Sequence, residues 1–286
     1  MISEADFTYV RTLLRERSGI ALADRKMYLV NTRLKPIAQK EGFADIAGLL
    51  AAVRKRPRGP LATTLVEAMT TNESLFFRDR LPFEALVKLM IPAVAASRPG
   101  GAPIKIWCAA ASTGQEPYSV AMVLDNEASK LPPNPVEIYA SDLSSDAINR
   151  ARTGTFTDFE VGRGMPDNFL QRYFRPTGDH CFQIIPALKQ KIRFDTRNLM
   201  DSFSDVGRVD IVFCRNVLIY FDKPTKIDVL TRLAKTMPSD GYLVLGGAET
   251  TLGLCDGFRA HKSWRNLYLR PTAREATPLV SARRSA

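Results

Sequence analysis

Three polar side chains stand at the ends of apolar runs. Asp142 closes VEIYASD, Asn198 follows the run 191–194 within FDTRNL, and Asn216 follows the run 209–214 within VDIVFCRN. A fourth run, 104–108, opens into residues 109–114, all small enough to let a ligand reach the backbone. Pro117 then suits the first turn of a following helix, where its missing N–H costs nothing. A carboxylate at a strand tip can accept from both hydroxyls of a ribose. Each asparagine lies at the strand edge where open sheets bind ligands. Taken singly, the features have ordinary readings: a helix-packing turn, a helix N-cap at Asp142, turn formers at the asparagines. Ser144 is available as the N-cap instead. Polar groups at four successive strand ends are poorly explained by turn chemistry.

The loop reads Ala-Ala-Ser-Thr-Gly and lacks the G-x-G-x-x-G pattern of dinucleotide binders, and no P-loop pattern is present. Without a pyrophosphate cradle, the set suits a nucleoside carrying no phosphate, of which S-adenosylmethionine is the common one.

These groups need a sheet to hold them. Strand-like runs at 104–108, 136–141, 191–194, 209–214, 242–246 and 267–270 alternate with helix-like stretches such as 117–124, 145–151 and 223–237. That alternation predicts an α/β fold with a mostly parallel, doubly wound sheet. Residues 155–185 are short, mixed and turn-rich, and read as an insertion carrying a small antiparallel β element. Residues 4–69 show only helical spacing: Phe7, Val10, Leu14; Tyr28, Leu29, Leu34, Ile37; Ile46, Leu49, Leu50, Val53. The expected organisation is an all-helical domain over 1–73, linker included, a ligand-binding domain over 74–271, and a polar, disordered tail over 272–286.

With 286 residues and 45% apolar content, the chain can bury a full core. No window resembles a membrane span, and the acidic start does not read as a signal peptide, so a cytoplasmic location is expected. The four cysteines show no metal-ligand spacing, and two histidines argue against a multi-histidine metal site. The net charge of +10 is uneven, with twelve Lys/Arg against seven Asp/Glu in residues 1–70. Such a face attracts an anionic partner or is merely solvated.

Three blocks bring a specific resemblance. TTNESLFFR from Thr70 to Arg78, ASTGQEPYS from Ala111 to Ser119, and FCRNVLIYF from Phe213 to Phe221 resemble the chemotaxis receptor methyltransferases, the CheR family, in order and spacing. The likeness runs to about Pro271. It implies a doubly wound, Rossmann-like methyltransferase domain behind the helical one. The activity implied is S-adenosylmethionine-dependent methyl esterification of glutamates on cytoplasmic chemoreceptor helices, with S-adenosylhomocysteine as product. Carried over by motif, the cofactor positions are Asn72, Ser74, Arg78, Glu116, Asp142, Asn198, Leu199, Asn216 and Val217. Ser74 stands where threonine is usual and keeps the hydroxyl. Gln115 replaces the first of two frequent glutamates, which places the weight on Glu116.

The implied reaction fits the residue inventory. A glutamate carboxylate with an ordinary pKa of about 4.3 is already ionised at neutral pH, so no general base is required. The site must supply in-line positioning and exclude water. Arg78 can grip a carboxylate, of substrate or cofactor, and Tyr220 can orient the acceptor oxygen. Capping by Arg78 and core packing by Tyr220 are the plainer alternatives. The stripe Arg25, Arg33 and Lys35, assisted by the cluster 54–58, is expected to dock acidic receptor helices. In the family a β element can bind a tethering peptide at the receptor C-terminus where a Gly-x-Gly turn is present. Here Pro176 takes the first glycine position, so a tether-independent monomer is expected. Neither a metal nor membrane insertion is expected. A nucleic-acid methyltransferase is the first rival; the Asn/Asp-Pro-Pro-aromatic motif is missing after the fourth strand and aromatics are sparse in the basic cluster. A non-catalytic cofactor-binding scaffold is the second.

Overall fold

The computed structural model describes residues 2–272; the polar tail expected from 272 lies outside them after its first residue. Among the described residues ten strands form two sheets: β1 (Ile104–Ala109), β2 (Val136–Asp142), β3 (Thr155–Thr157), β4 (Phe174–Gly178), β5 (Cys181–Ile184), β6 (Ile192–Thr196), β7 (Ile211–Cys214), β8 (Tyr242–Leu245), β9 (Arg259–Ala260) and β10 (Leu267–Leu269).

The large sheet has the order β6-β2-β1-β7-β8-β10-β9. The first five of these strands run parallel, with Cys108 beside Ala140 on one side and beside Phe213 on the other. β10 pairs antiparallel to β8, and β9 to β10. The chain leaves β1 towards β2 and β6, then returns to β7 on the opposite side. That reversal opens a crevice at the carboxyl ends of β1 and β7.

Side-chain alternation sorts the sheet into two cores. Ile104, Ile106 and Cys108 face one layer together with Ile211, Phe213 and Val244. Trp107, Val212, Cys214, Leu243 and Leu245 face the other, under the helix Lys223–Thr236. The strand expected over 209–214 begins at Ile211, because Val209 N–H donates to Thr236 and Asp210 N–H to Lys105. Residues 155–185 form the expected small antiparallel sheet, ordered β3-β5-β4, together with the helices Asp158–Gly162 and Asp167–Tyr173.

The first 70 residues are helical: Glu4–Ser18, Met27–Lys40, Ile46–Lys55 and Pro60–Ala68, around a separate core of Val10, Leu14, Leu34, Leu49 and Leu65. Ser3 caps the first helix by accepting from Asp6 N–H, and Gly19 ends it at φ 73°. A Cβ on Gly19 would stand 2.8 Å from Met200 Sδ and 2.9 Å from Thr225 Cγ2. The helical unit therefore packs flush against the sheet domain at this point.

Candidate functional site

The carboxyl edge of the large sheet opens into a pocket walled by the sheet's loops, the strap and the helical unit. All the expected site residues line it. Ser112 follows β1, Asp142 ends β2, Asn198 and Leu199 follow β6, and Asn216 and Val217 follow β7. Glu116 enters from the first turn of the helix Gln115–Asn126, and Tyr220 from the short turn after β7. Asn72, Ser74 and Arg78 come from the extended strap that joins the two domains, while Ser18 and Ile20 come from the helical unit.

Asp142 organises the loop after β1. Its carboxylate accepts from Ser112 N–H at 2.8 Å and Ser144 N–H at 2.9 Å. Ser144 is the N-cap of the next helix, accepting from Ala147 N–H, so Asp142 is free of that role. Burial pushes the Asp142 carboxyl up, against the three amides of Ser144, Ser112 and Leu143. Three amides leave one of the carboxylate's roughly four lone-pair sites, which a ribose hydroxyl can use. Ser112 Oγ donates to the Asn72 carbonyl at 2.8 Å and ties the loop to the strap.

The strap is held from several sides. Arg33 donates to the carbonyls of Met69 and Thr70, both at 2.7 Å, and to Thr71 Oγ1. Phe77 N–H donates to Ser119 Oγ at 2.9 Å. Phe77, Asp79 and Arg80 all adopt positive φ, at 50°, 66° and 50°. Non-glycine residues persist there only where the surroundings over-determine them, and such turns cluster at functional sites. Arg78 sits inside this turn.

Beneath it lies a buried ionic cluster. Arg215 donates to Glu116 Oε2 at 2.7 Å, to Asp79 Oδ2 at 2.7 Å and to the Arg78 carbonyl at 2.8 Å. Burial lifts the Glu116 carboxyl above its ordinary range, with the Arg215 guanidinium pulling the other way. Glu249, from the loop after β8, accepts from the N–H groups of Asn216, Gly246 and Ile219. It fixes the turn in which Asn216 adopts φ 58° and from which Tyr220 projects.

Asn198 is used differently from a free ligand group. Its amide donates to the Arg17 carbonyl and accepts from Met200 N–H at 3.0 Å, which joins the helical unit to the pocket wall. Ala21 N–H donates to the Tyr220 carbonyl at 2.8 Å, Ile20 pairs with Phe221, and Arg15 meets Asp222 at 2.7 Å. The stripe residue Arg33 likewise points to the strap, whereas Arg25 and Lys35 remain exposed.

The donor set suits S-adenosylmethionine. The side chains of Asn72, Arg78 and Asn216 take no hydrogen bond from the described residues, and Glu116 Oε1 likewise has no protein partner. Asp142 can meet ribose hydroxyls, Glu116 an ammonium, and Arg78 a carboxylate. No group of metal-ligating residues occurs among the described residues. Sequence reasoning missed Arg215 and Glu249. A charged residue directly after the buried run of β7 was a signal for the first; nothing local marked the second.

Comparison with known proteins adds a family. Residues 72–266 match the model of the CheR methyltransferase SAM binding domain, and residues 5–70 that of the CheR methyltransferase all-alpha domain. A chemotaxis protein methyltransferase of Pseudomonas putida is 40% identical over 257 residues, covering 89% of this chain and 93% of its own. One from Vibrio parahaemolyticus is 40% identical over 260 residues, 90% and 93% of the two chains. One from Salmonella typhimurium is 34% identical over 261 residues, 90% and 88%.

Proposed function

Because the chain belongs to the CheR methyltransferase family, with S-adenosylmethionine as cofactor, we propose that it methylates glutamate side chains on the cytoplasmic helices of chemoreceptors. The products are glutamate 5-O-methyl esters and S-adenosylhomocysteine. The observation that carries this reading is the pocket itself: Asp142, Glu116 and Arg78, side chains suited to a ribose, an ammonium and a carboxylate, line it together with Tyr220.

When bound, the cofactor supplies an activated methyl on a sulfonium. The protein's part is positional. Asp142 receives the ribose, Glu116 the ammonium and Arg78 a carboxylate, while Asn72, Ser74, Asn216 and the backbone of Leu199 and Val217 frame the rest. Tyr220 lines the same pocket and can donate to one oxygen of the acceptor carboxylate, leaving the other free for the methyl. The strap and helical unit wall off water, which sharpens the attraction between carboxylate and sulfonium. No proton needs to move, since the acceptor is already ionised.

The exposed Arg25 and Lys35, with Lys55, Arg56 and Arg58, give the helical unit a face for acidic receptor helices. In the small sheet, β4 is an edge strand that carries Pro176 and a register break before Gly178. A proline removes a backbone donor there, which disfavours addition of a peptide strand and supports action without a tether. No helix among the described residues is long and apolar enough to cross a membrane; a cytoplasmic location follows from the proposed substrate, the cytoplasmic receptor helices. We expect a monomer.

The test incubates purified protein with methyl-labelled S-adenosylmethionine and membranes carrying a chemoreceptor. Base-labile label on the receptor band, released by alkali as methanol, is the expected result. Cofactor binding without label on any receptor of a panel would overturn the reading in favour of a scaffold.

A further inference from the structure

We propose that Arg215 is a positioning residue for the cofactor's amino-acid end: its single guanidinium holds the Glu116 carboxylate and the Arg78 turn in one fixed frame. This rests on the reading that Glu116 receives the ammonium and Arg78 a carboxylate, and adds to it the part that sets their separation.

Arg215 is only 2% exposed at its side chain, yet it is neither remote from the pocket nor merely neutralised. Nη1 reaches Glu116 on the helix Gln115–Asn126, and Nη2 reaches both Asp79 and the Arg78 carbonyl on the strap. The two elements are also tied by Phe77 N–H to Ser119 Oγ, but Arg215 alone among the described residues grips both the Glu116 carboxylate and the Arg78 carbonyl, and its planar donors fix angle as well as distance. The strap here runs through three left-handed non-glycine residues and would relax without an anchor. The guanidinium lies over the Phe83 ring, 5.9 Å from its centroid, which fixes its plane, and its Nε is buried without a hydrogen-bond partner. A buried arginine serving stability alone would make a poor bargain against an apolar side chain of equal volume. Its placement between two ligand-facing groups gives the charge a reason.

Arg215 also governs the charge on Glu116. The groups facing that carboxylate are Arg215, Arg78, Glu249 and the thiols of Cys108 and Cys214. Burial and Glu249 favour the neutral carboxyl; Arg215 and Arg78 favour the carboxylate. With Arg215 removed, the balance tips to the neutral form at lower pH, and a neutral carboxyl holds an ammonium poorly.

The test is calorimetric binding of S-adenosylhomocysteine between pH 6 and 8.5. Wild-type affinity should change little over that range. Arg215→Met should bind about tenfold or more weakly at pH 6 and recover as pH rises and Glu116 ionises. Arg215→Lys should keep the flat profile, because the charge remains, yet bind several-fold more weakly, because one ammonium cannot span both elements. In Arg215→Met/Glu116→Gln the pH limb should vanish. Should Arg215→Met fail to fold, Asp79→Ala removes one of the two strap contacts, keeps that to the Arg78 carbonyl, and should weaken binding several-fold without a pH limb. Folded Arg215→Met with affinity within twofold of wild type at every pH, or Asp79→Ala with wild-type affinity, overturns the role of Arg215. Wild type that binds no S-adenosylhomocysteine overturns the reading of the site itself.

Discussion

Single side chains at this site hold rather than react, and their removal should read out accordingly. Arg78→Ala should lower kcat/KM about 100-fold and weaken S-adenosylhomocysteine binding as well, since it loses a charge-assisted contact and the orientation that goes with it. Tyr220→Phe should lower kcat about tenfold with receptor KM unchanged, as expected for a contact made at the acceptor oxygen during transfer. Steady-state kinetics on receptor membranes check both; wild-type rates would return Arg78 to capping and Tyr220 to packing. Glu249→Ala leaves three backbone N–H groups around Asn216, Ile219 and Gly246 without their acceptor. It should cost about 3 kcal/mol in urea unfolding. Asp142 and Asn216 were legible in place because Asp142 closes an apolar run and Asn216 stands one residue beyond Arg215 at the end of another. Asn198 was legible in place but not in use, since its partner Arg17 lies 181 residues away. Arg215 and Glu116 are 99 residues apart, and only the fold reveals them as a pair.

The strap is the element on which the pocket turns. The helical unit, the loop after β1, the sheet domain and the small sheet's insertion all contact it. Gly164, in that insertion, adopts φ +87°, and a Cβ there would stand 2.3 Å from the Phe76 carbonyl. Gly164→Ala should therefore displace the strap, lower stability by about 2 kcal/mol and weaken S-adenosylhomocysteine binding. Thermal melts with and without ligand measure both effects; unchanged affinity would show that the strap tolerates movement at Phe76. Apolar runs alternating with helical spacing made the parallel strands legible, and β1, β7 and β8 are indeed buried almost throughout. The two-residue β9 was not, because so short a run carries no period of its own. The strap was legible as a motif but not as a strained turn, since of Phe77, Asp79 and Arg80 only Asp79 is a residue type that readily visits a left-handed backbone.

At the scale of the molecule, charge and domain contact act together. Reversing Arg25 and Lys35 to glutamate should raise receptor KM several-fold, steepen less with added salt than wild type, and leave S-adenosylhomocysteine affinity unchanged. Arg33 should behave otherwise, because it grips the strap rather than solvent. Equal KM values would mark the stripe as plain solvated surface. The helical unit is more than an adaptor: Ser18 and Ile20 line the pocket, and the Tyr220 carbonyl accepts from Ala21. A gene fusion that exchanged these first 70 residues for a relative's, to redirect the enzyme to another receptor, would carry a wall of the cofactor pocket with it. On the proposed docking role of the helical unit, receptor choice and cofactor grip are inherited as a unit, and variation in one is constrained by the other.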